Sequence, residues 1–137
     1  MPKHLPWVDD FLRTERFATI ATIQASGHPH LSPMGFLWDG TTALLTATKQ
    51  TAKYRNLLRN PLVTLHVADA ATGRWVSLEG RAVVTDRDIR EPILRILMKG
   101  LPDKARAEQR VDHMLATQQR VVISLTPTRV IAWERPR

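Results

Sequence analysis

The chain of 137 residues contains no cysteine, which excludes disulfides and thiolate metal sites and agrees with a reducing compartment. Long apolar runs are missing too. No uncharged stretch approaches the ~18 residues of a membrane-spanning helix, and the Met1 to Trp7 segment lacks the apolar core of an export signal. These absences predict a cytoplasmic protein without membrane insertion. The phosphate-loop, dinucleotide-fingerprint, nucleophile-elbow and zinc-protease patterns do not occur, and neither do internal repeats or low-complexity tracts. Acidic residues are few, 13 Asp and Glu against 20 Lys and Arg, for a net charge of +7. The shortage is sharpest from Gly40 to Ala68, where no Asp or Glu accompanies Lys49, Lys53, Arg55 and Arg59.

A length of 137 residues with 43% hydrophobic content fits one domain, 1–137, able to bury a real core. The cation surplus points to a polyanionic ligand, nucleic acid or a membrane surface. Because the cations are dispersed and form no block, a disordered nucleic-acid tail is disfavoured, and we expect no nucleic-acid partner.

Hydrophobic spacing predicts a short amphipathic helix over Trp7–Arg16, with Phe11 and Leu12 inward. Strands are expected at Phe17–Gln24, His30–Trp38, Thr42–Ala47, Leu62–Ala68, Trp75–Thr85 and Arg120–Thr126, with Pro127–Trp133 continuing the last at an edge. Gly80 marks a bulge or a close backbone approach. Helices are expected over Arg87–Lys99, capped by Asp86 or Asp88, and over about Asp103–Gln118. Six short antiparallel strands with helices at the ends predict a mainly β fold, a six-stranded split β-barrel with peripheral helices.

Between the third and fourth strands, Thr51 is an N-cap for a two-turn helix, Ala52–Arg59, with Tyr54, Leu57 and Leu58 inward and Asn60-Pro61 as its stop. The first-turn N–H groups carry the positive end of the helix dipole, so this start can cradle a phosphate, with Lys53 adding a full charge and Lys49 just upstream. The bland alternative is a solvated charged helix. Other candidates are weaker. His28 and His30 lack a third metal ligand nearby, so a hairpin turn accounts for them better. His66 lies in an apolar strand, which suits a core or barrel-lining role. Asp9 and Asp10 are adjacent on a helix and point apart, which argues against a carboxylate dyad. Trp7 and Trp38 read as packing residues, whereas Trp75 and Trp133 are placed to stack on a planar ring or to enter a dimer contact.

Five motifs occur in a telling order: Phe17-Ala-Thr-Ile-Ala-Thr-Ile23, Gly27-His-Pro-His-Leu-Ser-Pro-Met-Gly-Phe36, Trp38-Asp-Gly40, Lys53-Tyr-Arg-Asn-Leu-Leu-Arg-Asn-Pro61 and Val76-Ser-Leu-Glu-Gly-Arg-Ala82. Together they resemble the flavin/deazaflavin oxidoreductases of the pyridoxamine 5'-phosphate oxidase-like split β-barrel superfamily, over about residues 10–133. Within it the chain looks most like the short actinobacterial branch that uses coenzyme F420, a deazaflavin with a phosphate and an oligoglutamate tail. The resemblance implies that Ser32, Pro33, Met34 and Gly35 lie beside the cofactor ring, with Ala47 and Thr48 at the end of the next strand. It makes Lys53 the phosphate-binding lysine, with Arg55 and Asn56 continuing its motif. It also implies a homodimer with the cofactor site at the interface, where Trp75, Val76, Ser77 and Leu78 come from the second subunit. The chain stops at Trp133-Glu-Arg-Pro-Arg137, without the longer Arg- and His-bearing tail that pyridoxamine 5'-phosphate oxidase uses on its substrate, which argues against that activity.

The expectation is therefore an F420-dependent oxidoreductase passing a hydride to a conjugated small-molecule substrate, with no dedicated acid or base required. The same fold using FMN is the first alternative, although it leaves the excess charge unexplained. A non-enzymatic binder, either a cofactor carrier or a nucleic-acid module, is the second.

Overall fold

The computed structural model describes residues 5–136. The Met1–His4 start of the segment read above for an export signal lies outside them. The elements run α1 (Val8–Thr14), β1 (Phe17–Ile23), β2 (Pro29–Gly35), β3 (Leu37–Trp38), β4 (Ala43–Thr48), α2 (Ala52–Arg59), β5 (Leu62–Asp69), β6 (Arg74–Thr85), α3 (Arg90–Met98), α4 (Lys104–Thr117), β7 (Arg120–Leu125) and β8 (Arg129–Trp133). No helix among the described residues is long and apolar enough to cross a membrane.

All strand pairings are antiparallel, in the order β2-β1-β5-β6-β7-β4-β3, with β8 added on β6. The ends of that order, β2 and β3, are consecutive in the chain and joined by Phe36, so the sheet curls back on itself. The fold is mainly β, a half-barrel with helices outside it. Among the described residues eight strands replace the six expected. His30–Trp38 splits because β2 pairs with β1 while β3 pairs with β4, and the fully buried Phe36 forms the corner. Residues 129–133 form a separate strand rather than an extension of β7, running beside β6 from Glu79 to Trp75.

β6 is long enough to serve both halves of the curl. Its first part pairs with β5 and β8, and Ala82–Thr85 pairs with β7. Gly80 sits just before that change. Its register against Val63 is unbroken, so it is no bulge; a Cβ there would stand 2.8 Å from Leu125 Cδ1 and 3.1 Å from the Thr126 carbonyl oxygen. Close approach is what this glycine permits.

Alternation along β1, β4 and β5 sends Ala18, Ile20, Leu45, Val63 and Leu65 into the barrel, where they meet Val76, Leu78 and Ile123. The α1 residues Val8, Phe11 and Leu12 plug one end. A second cluster forms where α3 and α4 pack together on the outer side of β7, around Ile93, Leu94, Ala107, Val111 and Val122. α4 starts as expected, with Asp103 accepting from the Arg106 N–H. α3 does not: it begins at Arg90, and neither Asp86 nor Asp88 caps it. Asp86 is instead paired with Lys49, and Asp88 takes a left-handed φ of 53° in the connecting turn.

Candidate functional site

The turn from β4 into α2 is built as its sequence suggests. Thr51 caps the helix by accepting from the Tyr54 N–H at 3.4 Å, and its own hydroxyl donates to the Thr48 carbonyl at 2.8 Å. The helix is rotated relative to the expected stripe. Leu57 is buried and Tyr54 partly so, but Leu58 is 62% exposed and Asn56 takes the inward place. A buried amide is tolerable there because it is satisfied: Asn56 Nδ2 donates to Thr22 Oγ1 at 3.1 Å, and Asn56 Oδ1 accepts from Arg59 at 3.1 Å. Asn56 thus ties α2 to β1.

The cations of this segment have different employments. Lys49 donates to Asp86 Oδ2 at 2.8 Å, which holds its ammonium above the ordinary lysine value. The acid-free window in the sequence is therefore closed for Lys49 by a residue far along the chain. Arg55 donates to the Gln50 carbonyl and Arg59 to the Ile23 carbonyl. Lys53 is half-buried with no carboxylate partner among the described residues; desolvation first, then the Arg120 guanidinium, pushes its pKa down.

Arg120 escaped the sequence reading. It opens β7 opposite Thr48, and the Lys49 N–H donates to the Gln119 carbonyl at 2.9 Å, so strand pairing carries the guanidinium to the start of α2. Burial lowers its pKa, and its bond at 2.7 Å goes to Gln118 Oε1, a neutral acceptor. Two partly desolvated like charges are costly to hold together, and a bound anion would remove that cost. Nothing near Lys53 in the sequence signals this pairing, because Arg120 lies more than sixty residues further along the chain.

From Arg120 a cleft of about 640 Å³ runs between the barrel rim and the α3–α4 hairpin, within the size range of small-molecule sites. Met34, Gly35 and Thr46 line it on the barrel side. Lys99 projects from the hairpin and spends its donors on the Leu12, Glu15 and Phe36 carbonyls, with its ammonium 4.0 Å from the centre of the Phe36 ring. Burial pushes the Lys99 pKa down to about 8.

The other expected contacts fall in several places. On β2, Ser32 and Met34 share the face that continues the buried side of β1, while Pro33 and Gly35 point outward. Ser32 Oγ and His30 Nδ1 are shielded from water without a hydrogen-bond partner among the described residues. Ala47 is buried, leaving its backbone as the available group, and Thr48 ends β4 beside Arg120. Val76 and Leu78 are core residues. Trp75 and Ser77 face the outer side of the sheet, where Ser77 Oγ meets His66 Nδ1 at 2.7 Å and Trp75 lies opposite Trp133. One chain does not bring Trp75–Leu78 to the cleft. Asp9 is used structurally, its carboxylate accepting from the buried Trp38 Nε1 at 2.8 Å and from Arg13 at 2.9 Å. Trp7 is partly buried and packs edge-on against Phe11. No metal-binding group of His, Asp and Glu occurs among the described residues.

A curled antiparallel half-barrel with helices outside it is the fold of the split-barrel proteins. The chain belongs to the pyridoxamine 5'-phosphate oxidase family, whose profile matches residues 6–134. An F420H(2)-dependent biliverdin reductase of Mycobacterium tuberculosis is 38% identical over 76 residues, which is 54% of this chain and 54% of that one. The similarity thus spans about half the length of that curated relative. A conserved hypothetical protein of Mycobacterium tuberculosis superimposes with a TM-score of 0.79 at 26% identity, covering 98% of this chain and 86% of the other. An F420 reductase superimposes with a TM-score of 0.72 at 24% identity, covering 96% and 98%, which establishes the shared fold.

Proposed function

We propose that this protein is an F420-dependent oxidoreductase that reduces a conjugated small molecule. The carrying observation is the Lys53–Arg120 pair, two partly desolvated cations without a carboxylate partner among the described residues, at the capped start of a helix. That donor set fits a phosphate. The partnerless Ser32 Oγ fits the polar edge of a ring lying along β2, beside Met34. The name of the partial-length relative and the +7 charge support F420, whose anionic tail such a surface would attract.

Bound reduced F420 would supply the hydride. The protein's share is placement and desolvation: Lys53 and Arg120 hold the phosphate, Met34 and Gly35 of the cleft lining flank the ring with Ser32 next along β2, and the cleft walls exclude water. Ala47, Thr48, Arg55 and Asn56 frame the cradle, with Asn56 fixing the helix on β1. In this reading the chain is a homodimer, and Trp75 and Ser77 reach the site of the second subunit from the outer sheet face.

The reading is tested by parallel fluorescence titrations of the purified protein with oxidised F420 and with FMN. Salt-sensitive F420 binding at least tenfold tighter than FMN is expected. Tighter FMN binding, or a protein yellow as purified, overturns the deazaflavin assignment, and tight oligonucleotide binding without cofactor affinity overturns the enzymatic one.

A further inference from the structure

The cleft carries more positive charge than a cofactor phosphate at Lys53 and Arg120 needs. Besides Arg120 it is lined by Arg16, Lys99, Arg110 and His113, and by no Asp or Glu. None of the ion pairs among the described residues involves any of these five, although Arg13, Lys49, Arg74, Arg90, Lys104 and Arg129 are all paired with carboxylates. Lys99 is committed to three carbonyls. Arg16 and Arg110 are not committed in that way. Arg16 stands 5.5 Å from the centre of the Phe17 ring and lies against Gly100, where a Cβ would collide with its guanidinium. It therefore crosses from the barrel rim to the hairpin. Arg110 is exposed on α4, and its side chain makes no hydrogen bond or ion pair with the described residues.

Between these cations the walls carry a run of apolar side chains alongside the polar Thr46 and Gln118. Phe17, Met34 and Phe36 face the cleft from the barrel side, and Ile96, Leu101 and Met114 from the hairpin. An apolar trough edged by uncompensated guanidinium groups is complementary to a molecule with an extended apolar body and an acidic group.

We propose that the cleft under the α3–α4 hairpin is the acceptor pocket and selects a planar apolar molecule bearing a carboxylate, held by Arg16 and Arg110. This rests on the reductase reading for its role in turnover, while the binding preference stands on the cleft alone. Guanidinium forks bind carboxylates in pairs of charge-assisted hydrogen bonds, and the apolar side chains between them suit the body of such a guest. Selection between acid and neutral analogue then follows from leaving the guanidinium groups unpaired beside an uncharged guest.

The test is equilibrium fluorescence binding to the full chain, without cofactor, of 9-anthracenecarboxylate and of 9-anthracenemethanol, which share a ring and differ in charge. We expect the acid to bind at least tenfold tighter, with the preference falling below threefold in the Arg16→Gln/Arg110→Gln variant. Arg110→Glu alone, at an exposed position, reports the same loss should the double variant fold poorly. Equal binding of the two probes by the wild-type chain, or an acid preference unchanged by these substitutions, overturns the proposal. F420 titration of the same preparations separates the two readings: an intact acid preference without F420 affinity overturns the cofactor assignment and leaves the pocket standing.

Discussion

The Arg120 guanidinium, at the start of β7, helps hold the Lys53 ammonium of α2 below its ordinary pKa, and no carboxylate among the described residues stands with either. Elsewhere the same protein pairs its cations readily, with Lys49 bound to Asp86 a few residues upstream of Lys53. An uncompensated pair at a helix start is the feature on which the proposed phosphate site rests.

Substitution should separate these three cations. Lys53→Ala and Arg120→Ala are each expected to weaken F420 binding by about 1–3 kcal/mol, the range for losing a charge-assisted hydrogen bond. Lys49→Ala should change it by less than threefold, since its charge is already met by Asp86. Fluorescence titration of the three variants checks this, and equal losses in all three would contradict the assignment.

Affinity should also depend on pH. In the free protein Lys53 loses its proton below the ordinary lysine value of 10.5, whereas a bound phosphate favours the charged form. Binding is therefore strongest below the free-protein pKa and weakens as pH rises through it, with proton uptake in that window. Lys53→Arg, which does not titrate there, should flatten the profile measured from pH 7 to 10.

Lys99 gives a stability effect of defined sign. Its folded pKa of about 8 lies below the ordinary 10.5, so between those values the unfolded chain holds more protons than the folded one. Stability contributed through this group rises with pH across that window and is flat below it. Thermal melts from pH 7 to 10.5 should show the rise in wild type relative to Lys99→Met; parallel curves would count against it.

The rotation of α2 can be tested by melting temperature. Asn56→Ala removes the buried bond to Thr22 and is expected to cost about 1–3 kcal/mol, mostly by leaving polar groups unsatisfied. Leu58→Ala, at an exposed position, should cost less than about 0.5 kcal/mol. Reversed magnitudes would show that the expected Tyr54-Leu57-Leu58 stripe faces the core.

Much of this was legible before the coordinates. The α2 boundaries, its Thr51 cap and the positions of β1 and β5 follow from local chemistry: side-chain hydroxyls cap nearby N–H groups, and β-branched runs bounded by turn residues favour strands. Leu58 misled because helical spacing fixes a stripe only to within one position when a buried Asn has a waiting partner. That partner, Thr22, belongs to a different element. The break at Phe36 was hidden for a related reason: its cause is that β2 and β3 pair with different strands.

The sequence by itself determined the helices and most of the strands, the cation surplus, the acid-free window and the Thr51 cap ahead of Lys53, because these depend on residues within a turn or two of one another. Only the tertiary structure decided which cations are free. Strand pairing brings Arg120 to Lys53, the turn after β6 delivers Asp86 to Lys49, and the α3–α4 hairpin closes a cleft over Arg16 and Met34. Charge compensation acts through space over a few ångströms, and distance along the chain does not record it.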